Sequence, residues 1–271
     1  MRVACVDRRS TLGGTCLNVG CIPSKALLNA SEQFAKATDG TLADLGISVG
    51  TPKLDLGRMQ AAKDDIVSGL TGGIDYLFKK NKITRLEGTA RIDHAGEVSL
   101  VDGSDKGSYH CDRILIATGS HASSLPNVAI DEKRIVSSTG ALALTTLPKK
   151  LVVIGAGYIG LELGTVWARL GAEVEVIEFL PRILPGMDEE VAKKFMAIAK
   201  RQGLKFRLKT AVKSAKASKT GVSLMVEPAG GGDEEQINAD VALVSVGRHP
   251  ATNGLGLEEA GVAVSDRGRI K

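Results

Sequence analysis

The sequence lacks features that define several whole classes of protein. No apolar run approaches the length of about 18 residues from which a transmembrane helix is recognised. Basic residues hardly outnumber acidic ones, 35 against 31, and no basic run has interleaved aromatic residues, so nucleic acid is not predicted as the main partner. The opening residues MRVACVDRR contain no basic region followed by a long apolar core and do not predict a signal peptide.

What remains is the composition of an ordinary soluble globular protein. The chain has 271 residues, of which 43% are hydrophobic and 24% are charged, and both fractions are typical of globular domains. This length is long for one domain and sufficient for two, each with its own core. We therefore expect two domains.

Cysteine is also scarce, with four residues in the chain, too few for a disulfide scaffold. Cys5 and Cys111 lie in strand-like runs and are predicted to be buried small hydrophobic residues. Cys16 and Cys21 lie five residues apart in GGTCLNVGCIPSK. The function of this pair of cysteines is the main chemical question that the sequence raises.

A dinucleotide-binding pattern lies in the second half of the chain. In KKLVVIGAGYIGLELGTVWARLGAEVEVIEF, an apolar run leads into Gly155-x-Gly157-x-x-Gly160, a helical pattern follows, and a second apolar run ends at Glu178. In such a unit the glycines allow a tight turn, close approach of a pyrophosphate and close helix–strand packing. Glu178 would accept hydrogen bonds from ribose hydroxyls and repel a 2′-phosphate, so NAD is favoured over NADP. The alternative is a glycine-rich turn without a ligand.

A similar strand end occurs at the N-terminus. RVACVDRRSTLGG parallels EVEVIEFLPRILPG, and Asp7 takes the place of Glu178. The first glycine of the downstream loop lies 23 residues before Glu178, and the same spacing counted back from Asp7 falls before Met1. We therefore expect a second dinucleotide domain whose first phosphate loop and central strand are absent from these residues.

The rest of the chain predicts alternating helices and strands. Helices are expected at 22–37 and 55–80 and over DEEVAKKFMAIAKRQG. Strands are expected at ITRLEGTARI, EVSLVD, HCDRILIATGS, LKFRLKT, VSLMVEP and ADVALVSVG, with AGGGDEEQ as a hairpin loop. Residues 1–148 thus look like part of one nucleotide domain and 149–271 like a complete one.

Three interpretations of Cys16 and Cys21 are open: a structural staple, half of a metal site and a working redox pair. In a regular helix their Cα atoms would lie about 8–9 Å apart, beyond the roughly 4.4–6.8 Å of a disulfide. Closure therefore requires a break in the helix, which Asn18 and Gly20 permit. A staple over so small a loop would constrain the unfolded chain little. No zinc-ligand spacing links the cysteines to the four histidines, His94, His110, His121 and His249.

The redox interpretation accounts for more of the surrounding residues. Cys21 precedes a predicted helix N-terminus, where the helix dipole and free N–H groups stabilise a thiolate. Lys25 lies one turn further on and can place a cation beside an electron-rich group. Because thiols do not pass hydride directly to NAD, a flavin between the two would be required.

Four motifs together resemble one known family. GGTCLNVGCIPSK, ILIATGS, VVIGAGYIGLELG and VSVGRHP, in this order, resemble the flavin disulfide oxidoreductases over essentially all 271 residues, and most of all the members that oxidise dihydrolipoamide. Glutathione-type reductases usually carry Lys where Ser24 stands, and mercuric reductases share much of the cysteine motif. The resemblance implies an α/β fold with two Rossmann-like domains of three-layer ββα type, FAD-binding and incomplete over 1–148, NAD-binding and about complete over 149–271.

The resemblance also implies roles for individual residues. Cys21 would be the flavin-side thiol, forming a charge-transfer pair, and Cys16 would exchange with the substrate. Lys25 would lie near flavin N5, paired with Glu162. The residues that would bind FAD are Asp7, Gly14, Thr15, Lys25, Thr118 and Gly119, and those that would bind NAD are Gly155, Gly157, Tyr158, Gly160, Glu178 and Gly247.

Some of these assignments have simpler alternatives. Lys25 and Glu162 could be unrelated surface charges, and Thr118 and Gly247 could be ordinary turn residues. Tyr158 could be a lid over the nicotinamide pocket or only a partly buried aromatic residue at a helix start. Trp167 is expected in the core.

The implied reaction is the oxidation of dihydrolipoamide through the Cys16–Cys21 disulfide and FAD, with hydride transfer to NAD⁺. The implied partners are lipoyl domains of 2-oxo-acid dehydrogenase or glycine-cleavage complexes and a second copy of the full-length chain. The implied compartment is the mitochondrial matrix in a eukaryote and the cytoplasm in a bacterium. No histidine here matches the family's base, and no residues match its second FAD segment or interface domain, so this chain alone is expected to be inactive. The alternatives are a truncated, non-catalytic NAD-binding paralogue and a mercuric or glutathione-type reductase.

Overall fold

The computed structural model describes residues 1–271, and none of its helices combines the length and apolar character needed to cross a membrane. The helices are α1 (Gly14–Val19), α2 (Cys21–Thr38), α3 (Thr41–Asp44), α4 (Leu56–Lys80), α5 (Ser138–Ala141), α6 (Tyr158–Arg169) and α7 (Glu189–Arg201). The strands are β1 (Ala4–Asp7), β2 (Thr84–Glu87), β3 (Ala90–His94), β4 (Glu97–Leu100), β5 (Gly107–His110), β6 (Ser120–Ala122), β7 (Ile135–Val136), β8 (Lys150–Ile154), β9 (Glu173–Ile177), β10 (Leu204–Arg207), β11 (Thr210–Ala217), β12 (Val222–Pro228), β13 (Glu235–Ala239), β14 (Val241–Val244) and β15 (Arg248–Pro250).

Two compact units make up the chain. The first unit comprises residues 1–18, 67–121 and 248–271, and the second comprises residues 19–66 and 122–247. This division describes packing within each unit. The functional boundary at 148/149 that the sequence suggests is a different kind of division and stays a prediction.

The second unit is built on a five-stranded parallel sheet in the order β10-β9-β8-β14-β7. Its central strand, β8, is buried from Leu151 to Ile154, and such continuous apolar runs are typical of a strand covered on both faces. The chain runs from β8 to β9 on one side and later returns to β14 on the other. The end of β8 is thus a point of strand-order reversal, where open α/β sheets bind ligands.

Two apolar clusters cover the faces of this sheet. One joins it to α2 and α6 and contains the fully buried Trp167, as predicted, with Phe195 of α7 at its edge. The other joins it to the antiparallel sheet β11-β12-β13 through residues such as Leu224 and Ile237. The layers are therefore sheet, sheet and helices, which confirms the predicted ββα class for this unit.

The three helices predicted at 22–37, 55–80 and 188–203 are confirmed, with boundaries shifted by one or two residues. Helix α7 begins after Asp188, whose carboxylate accepts hydrogen bonds from the backbone N–H groups of Glu190 and Val191. An aspartate in this position satisfies amides that the helix itself cannot. The predicted hairpin loop at 229–236 is confirmed for 229–234, which connects the antiparallel pair β12 and β13, whereas Glu235 and Gln236 already belong to β13.

The first unit contains the parallel pair β1-β2 and the antiparallel sheet β3-β4-β5. A small apolar cluster of Ile92, Leu255 and Leu257 lies beside that sheet. The main-chain N–H of Ile92 donates to the carbonyl of Leu255 at 2.8 Å, so residues after β15 are tied to the sheet.

One predicted strand is wrong in this unit. HCDRILIATGS was expected to be extended in a sheet, but only its first residue, in β5, and its last, in β6, are in strands, and 111–119 are in none. A strand forms only where its N–H and C=O groups find a ladder partner, and none of the strands pairs with these residues. Ile114 and Ile116 pack on the small cluster, whereas the side chain of Leu115 between them is 91% exposed. The prediction that Cys5 and Cys111 are buried is also wrong, because both are only half-buried.

Candidate functional site

The glycine loop between β8 and α6 shows why each glycine is required. Gly155 has a φ of +99°, and a Cβ there would approach the carbonyl oxygen of Ser245 to 2.7 Å. A Cβ at Gly160 would clash with the Gly155 carbonyl and the Ser245 hydroxyl. The Ser245 hydroxyl donates to the carbonyls of Ile154 and Gly155 at 3.0 and 3.1 Å. Ser245 is not predicted by the sequence motifs, although a small polar residue at the end of the neighbouring strand β14 could have marked it.

Gly157 has the opposite surroundings. A Cβ at this position would meet no atom within 4 Å, and Gly157 immediately precedes the first residue of α6. The first backbone N–H groups of a helix have no partner within the helix and favour anions. The open side of Gly157 therefore fits the pyrophosphate of a dinucleotide.

Glu178 is fixed at the end of β9 against this loop. One carboxylate oxygen accepts from the N–H of Ala156 at 2.7 Å and the other from the N–H of Leu180 at 2.8 Å. The side chain lies in a residue only 9% exposed, so it is held in one orientation. A carboxylate has about four acceptor positions, which leaves two for the ribose hydroxyls that the sequence assigned to it.

We expect Glu178→Gln to weaken NADH binding about 10- to 100-fold, because charged hydrogen bonds contribute about 1.5–3 kcal/mol. The amide would also turn an N–H₂ group toward one of the two backbone N–H donors. Fluorescence titration with NADH measures the change. Glu173→Gln, on the same strand but exposed and paired with Lys205, is the matched control. Equal affinity in the wild type and Glu178→Gln would mean that the carboxylate only supports the turn.

Tyr158 begins α6, and its side chain is exposed, with 67% of the residue's surface accessible. This placement leaves the ring able to cover a ligand at the open side of Gly157. Its role as a lid stays a prediction.

Cys21 begins helix α2 in the same unit. Gly20 precedes it with φ −139° and ψ −117°, a conformation that glycine adopts easily. It separates α1 from α2 and is the break in the helix that closure of a Cys16–Cys21 disulfide requires. Pro23 falls in the first turn, where its missing N–H costs nothing. Cys21 is exposed and therefore accessible at the positive end of an 18-residue helix.

Lys25 and Glu162 form a close ion pair between α2 and α6. The Lys25 ammonium lies 2.7 Å from each carboxylate oxygen of Glu162, so the interpretation as unrelated surface charges does not describe this geometry. Ser24 adds a hydrogen bond from its hydroxyl to the same carboxylate at 2.9 Å and is buried. This contact of Ser24 is not predicted by the sequence, because the burial of Ser24 depends on how α2 packs against α6.

A double-mutant cycle with Lys25→Met and Glu162→Gln measures this ion pair. We expect a favourable coupling of about 0.2–1 kcal/mol in urea unfolding, the range of partly exposed pairs. The pair Lys193 and Glu189, which is more exposed on α7, should show a smaller coupling. A coupling of zero for Lys25 and Glu162 would restore the interpretation as independent charges.

Three predicted FAD residues of the first unit, Asp7, Gly14 and Thr15, lie at the end of β1 or soon after it in the chain. Asp7 accepts a hydrogen bond from the N–H of Arg9 at 3.0 Å, and the Arg9 guanidinium donates to the carbonyl of Gly14 at 3.2 Å. Gly14 starts α1 with a φ of +61°, and a Cβ there would meet no atom within 4 Å. Thr15 follows, half-buried. These residues fit a nucleotide approaching the end of the strand.

Thr118 and Gly119 are exposed just before β6. Gly119 has a φ of +75° and an open side, and its carbonyl accepts from the N–H of Ala251 at 3.0 Å. In the second unit, exposed Gly247 has a φ of +124° and accepts from the N–H of Ser123 at 2.9 Å. Both glycines are required by their backbone conformation, and their cofactor roles stay predictions.

His121 is expected to make the stability of the first unit depend on pH. Burial, followed by the nearby Arg8, His249, Arg248 and Arg9, lowers the pKa of His121. A histidine whose folded pKa is below its unfolded value of about 6.5 binds fewer protons when folded, so stability rises with pH through that window. We expect His121 to lower the free energy of unfolding in urea as pH drops below about 6.5, against the opposite contribution of His94, whose pKa is raised by the Ala95 carbonyl and then by Glu97, and we expect His121→Gln to remove the contribution of His121. His110→Gln, at an exposed ring, should retain it, and an unchanged slope in His121→Gln would refute the assignment.

These features define a class of protein. A helix that follows a dinucleotide-binding glycine loop, α6, packs against a helix that begins with a cysteine of the CLNVGC motif, α2. The family model for pyridine nucleotide-disulphide oxidoreductases matches residues 1–271, and the chain belongs to this family. The resemblance drawn from the four sequence motifs is therefore confirmed.

Named relatives extend over the whole chain. This chain is 53% identical over 272 residues to a dihydrolipoyl dehydrogenase 3 of Pseudomonas putida, and the match covers 100% of this chain and 58% of the relative. It is 51% identical over 274 residues to a mitochondrial dihydrolipoyl dehydrogenase of Pisum sativum, covering 99% and 54%. A leghemoglobin reductase of Vigna unguiculata is 53% identical over 275 residues, with 100% and 52% covered. The chain thus spans about half the length of the curated relatives it matches.

A solved structure shows the same fold. The HOCl-induced flavoprotein disulfide reductase RclA from Escherichia coli superposes with a TM-score of 0.84 at 27% identity, covering 100% of this chain and 57% of that chain.

Proposed function

We propose that this chain takes part in the oxidation of dihydrolipoamide by NAD⁺, using the disulfide of Cys16 and Cys21 and bound FAD. The observation that carries the proposal is the Lys25–Glu162 pair, at 2.7 Å. It joins α2, the helix that Cys21 begins, to α6, the helix that opens with the dinucleotide loop. The reactive thiol and the proposed nicotinamide site therefore lie on two helices that pack against each other.

The exchange step follows from thiol chemistry. A thiolate of dihydrolipoamide attacks Sγ of Cys16 in the oxidised pair, forming a mixed disulfide and releasing Cys21 as a thiolate. The second substrate thiolate then closes the lipoamide ring disulfide and releases Cys16. Two electrons pass to the cysteine pair, and the two protons of the substrate thiols pass to solvent. The N-terminus of α2 stabilises the Cys21 thiolate.

The residues present fit both cofactors. When bound, the flavin supplies the two-electron link between a dithiol and the nicotinamide. We assign its binding to residues 1–148 through Asp7, Gly14, Thr15, Thr118 and Gly119, and we place Lys25 beside it. We assign NAD to residues 149–271 through the glycine loop, Tyr158, Glu178 and Gly247. The open sides of Gly14, Gly119 and Gly157 support this assignment.

The proposed partners are a second copy of the full-length chain and lipoyl domains of 2-oxo-acid dehydrogenase or glycine-cleavage complexes. The names of the Pseudomonas and Pisum relatives support the substrate. The same relatives come from a bacterium and from a mitochondrion, which supports the cytoplasm in a bacterium and the matrix in a eukaryote.

The test is the visible absorption spectrum of the purified 271-residue chain after incubation with FAD and removal of free flavin. A retained flavin band that changes on addition of dihydrolipoamide, with new long-wavelength absorbance, is the expected result. Loss of that response in Cys21→Ser would tie it to the disulfide. A colourless protein that still binds NADH would contradict FAD binding by this chain and favour a non-catalytic NAD-binding module. Reduction by glutathione but not by dihydrolipoamide would contradict the substrate.

A further inference from the structure

Helix α1 carries Cys16 but is too short to be stable by itself. It has six residues, and isolated helices of fewer than about 12 residues are marginal in water. Two glycines with left-handed backbone precede or begin it, Gly13 with a φ of +105° and Gly14 with +61°. The position of Cys16 therefore depends on contacts other than the helix's own hydrogen bonds.

Asn18 supplies such contacts within the first unit. Its amide nitrogen donates to the carbonyls of Leu12 at 3.1 Å and Gly14 at 2.9 Å. Its amide oxygen accepts from the hydroxyl of Thr11 at 2.6 Å. One half-buried side chain thus uses both of its ends on the turn that leads into α1. We call Thr11, Leu12, Gly14 and Asn18 the amide clamp.

We propose that Asn18 is a positioning residue for Cys16, and that the amide clamp sets the stability of the Cys16–Cys21 disulfide. The inference rests on the proposed function, in which these cysteines form the redox pair. In this role Asn18 acts through the backbone of the segment that holds Cys16. Cys16 lies between Gly14, whose carbonyl the amide holds, and Asn18 itself, so the clamp fixes the segment on both sides of the thiol.

The clamp acts on the equilibrium between dithiol and disulfide. In glutathione buffer, the thiols of Cys16 and Cys21 react with one glutathione disulfide to give the protein disulfide and two glutathione thiols. A segment that is already ordered loses less conformational entropy when the disulfide closes. We expect Asn18→Ala to lower the equilibrium constant for disulfide formation about tenfold, which raises the reduction potential by about 30 mV.

Asn18→Asp separates hydrogen bonding from packing. Aspartate has nearly the same shape, but its carboxylate would face the carbonyl oxygens of Leu12 and Gly14 without a proton to share. We therefore expect Asn18→Asp to lower the constant more than Asn18→Ala at pH 7. If only the volume of the side chain mattered, Asp would stay nearer to the wild type than Ala.

Thr11 gives a second and milder test of the clamp. Thr11→Val removes the donor to the Asn18 amide and keeps the shape, so we expect a decrease smaller than that of Asn18→Ala. Thr11→Ser keeps the hydroxyl and should restore the wild-type value. A purely structural role for the threonine methyl group would give the reverse order.

The experiment equilibrates the 271-residue chain and each variant in glutathione buffers without added flavin. Alkylation and mass spectrometry of the tryptic peptide 10–25 then give the oxidised fraction, and circular dichroism follows folding. Asn29→Ala, at an exposed asparagine of α2, is the matched control and should behave as the wild type. The expected order of equilibrium constants is wild type, Thr11→Val, Asn18→Ala, Asn18→Asp, from highest to lowest.

Each result decides the inference. Wild-type constants in the Asn18 variants overturn it, and so does Asn18→Asp above Asn18→Ala. If the Asn18 variants do not fold, Thr11→Val and Thr11→Ser decide alone, and equal constants for both overturn it. A wild-type chain that never forms the disulfide overturns the proposed function and this inference together. A wild-type disulfide that dihydrolipoamide fails to reduce contradicts only the proposed function.

Discussion

Replacing Gly160 by alanine is expected to destabilise the second unit by about 1–3 kcal/mol, the usual cost of overpacking a filled core. The new Cβ would clash with the Gly155 carbonyl and the Ser245 hydroxyl and approach Val153 to 2.9 Å. A carbonyl in a tight turn cannot swing away as a flexible side chain can. Because alanine normally stabilises a helix relative to glycine, a loss at this position can only come from the close packing.

Gly157→Ala should leave folding stability nearly unchanged and weaken NADH binding. Its Cβ would meet no atom within 4 Å, and its φ of −77° suits any residue, so we expect folding stability to change by no more than about 1 kcal/mol, the usual effect at an N-cap. NADH binding should nevertheless weaken at least about tenfold, or 1.4 kcal/mol, because the methyl group occupies the approach of the pyrophosphate.

The only tryptophan, Trp167, lies buried in α6, and its fluorescence reports unfolding of this unit in urea. NADH titration of the folded variants gives the affinities. Wild-type stability in Gly160→Ala would contradict the packing role. Wild-type NADH affinity in Gly157→Ala would show that the loop does not hold the dinucleotide.

The backbone requirements at Gly155 and Gly160 were predictable from sequence because they depend on local geometry, whereas the binding role of Gly157 stays a prediction. A turn that needs positive φ and a helix that approaches its own strand leave traces in the spacing of the motif. One partner of Glu178 was less accessible, because the N–H of Ala156 reaches the carboxylate only after β8 and β9 pair, whereas the N–H of Leu180 lies two residues along the chain. Ser24 was missed for the same reason, since its burial follows from the packing of α2 on α6.

The error at 111–119 has a different origin. RILIAT has the apolar composition of a strand, and composition describes which residues suit a sheet. Whether a segment enters a sheet depends on a partner from elsewhere in the chain, and no strand pairs here. The strand at Thr210–Ala217 was missed because its small and charged residues resemble a loop, although it pairs with β12 along its length.

Replacing Cys16 or Cys21 by serine is expected to abolish the two-electron exchange with dihydrolipoamide, because one thiol cannot form the internal disulfide. After oxidation and then treatment with dihydrolipoamide, the wild type should gain two alkylatable thiols, and each serine variant should gain none. Cys5→Ser and Cys111→Ser are the matched controls. Burial, followed by the charge of Asp7, raises the pKa of the Cys5 thiol, so it is a poor nucleophile, and both control variants should keep the gain of two.

The two serine variants should also differ from each other, and this difference tests the assigned roles. With oxidised lipoamide, the remaining Cys16 thiolate of Cys21→Ser attacks the ring disulfide, forms a mixed disulfide and frees the second lipoyl thiolate. Because that thiolate can close the ring again and release Cys16, iodoacetamide is added to alkylate it, and intact-mass measurement should then show the trapped adduct. In Cys16→Ser, the remaining thiol is Cys21, which is assigned to react with the flavin and not with the substrate, so it should form little adduct. Equal adducts in both variants would mean that either thiol meets the substrate, and an adduct only in Cys16→Ser would exchange the two roles.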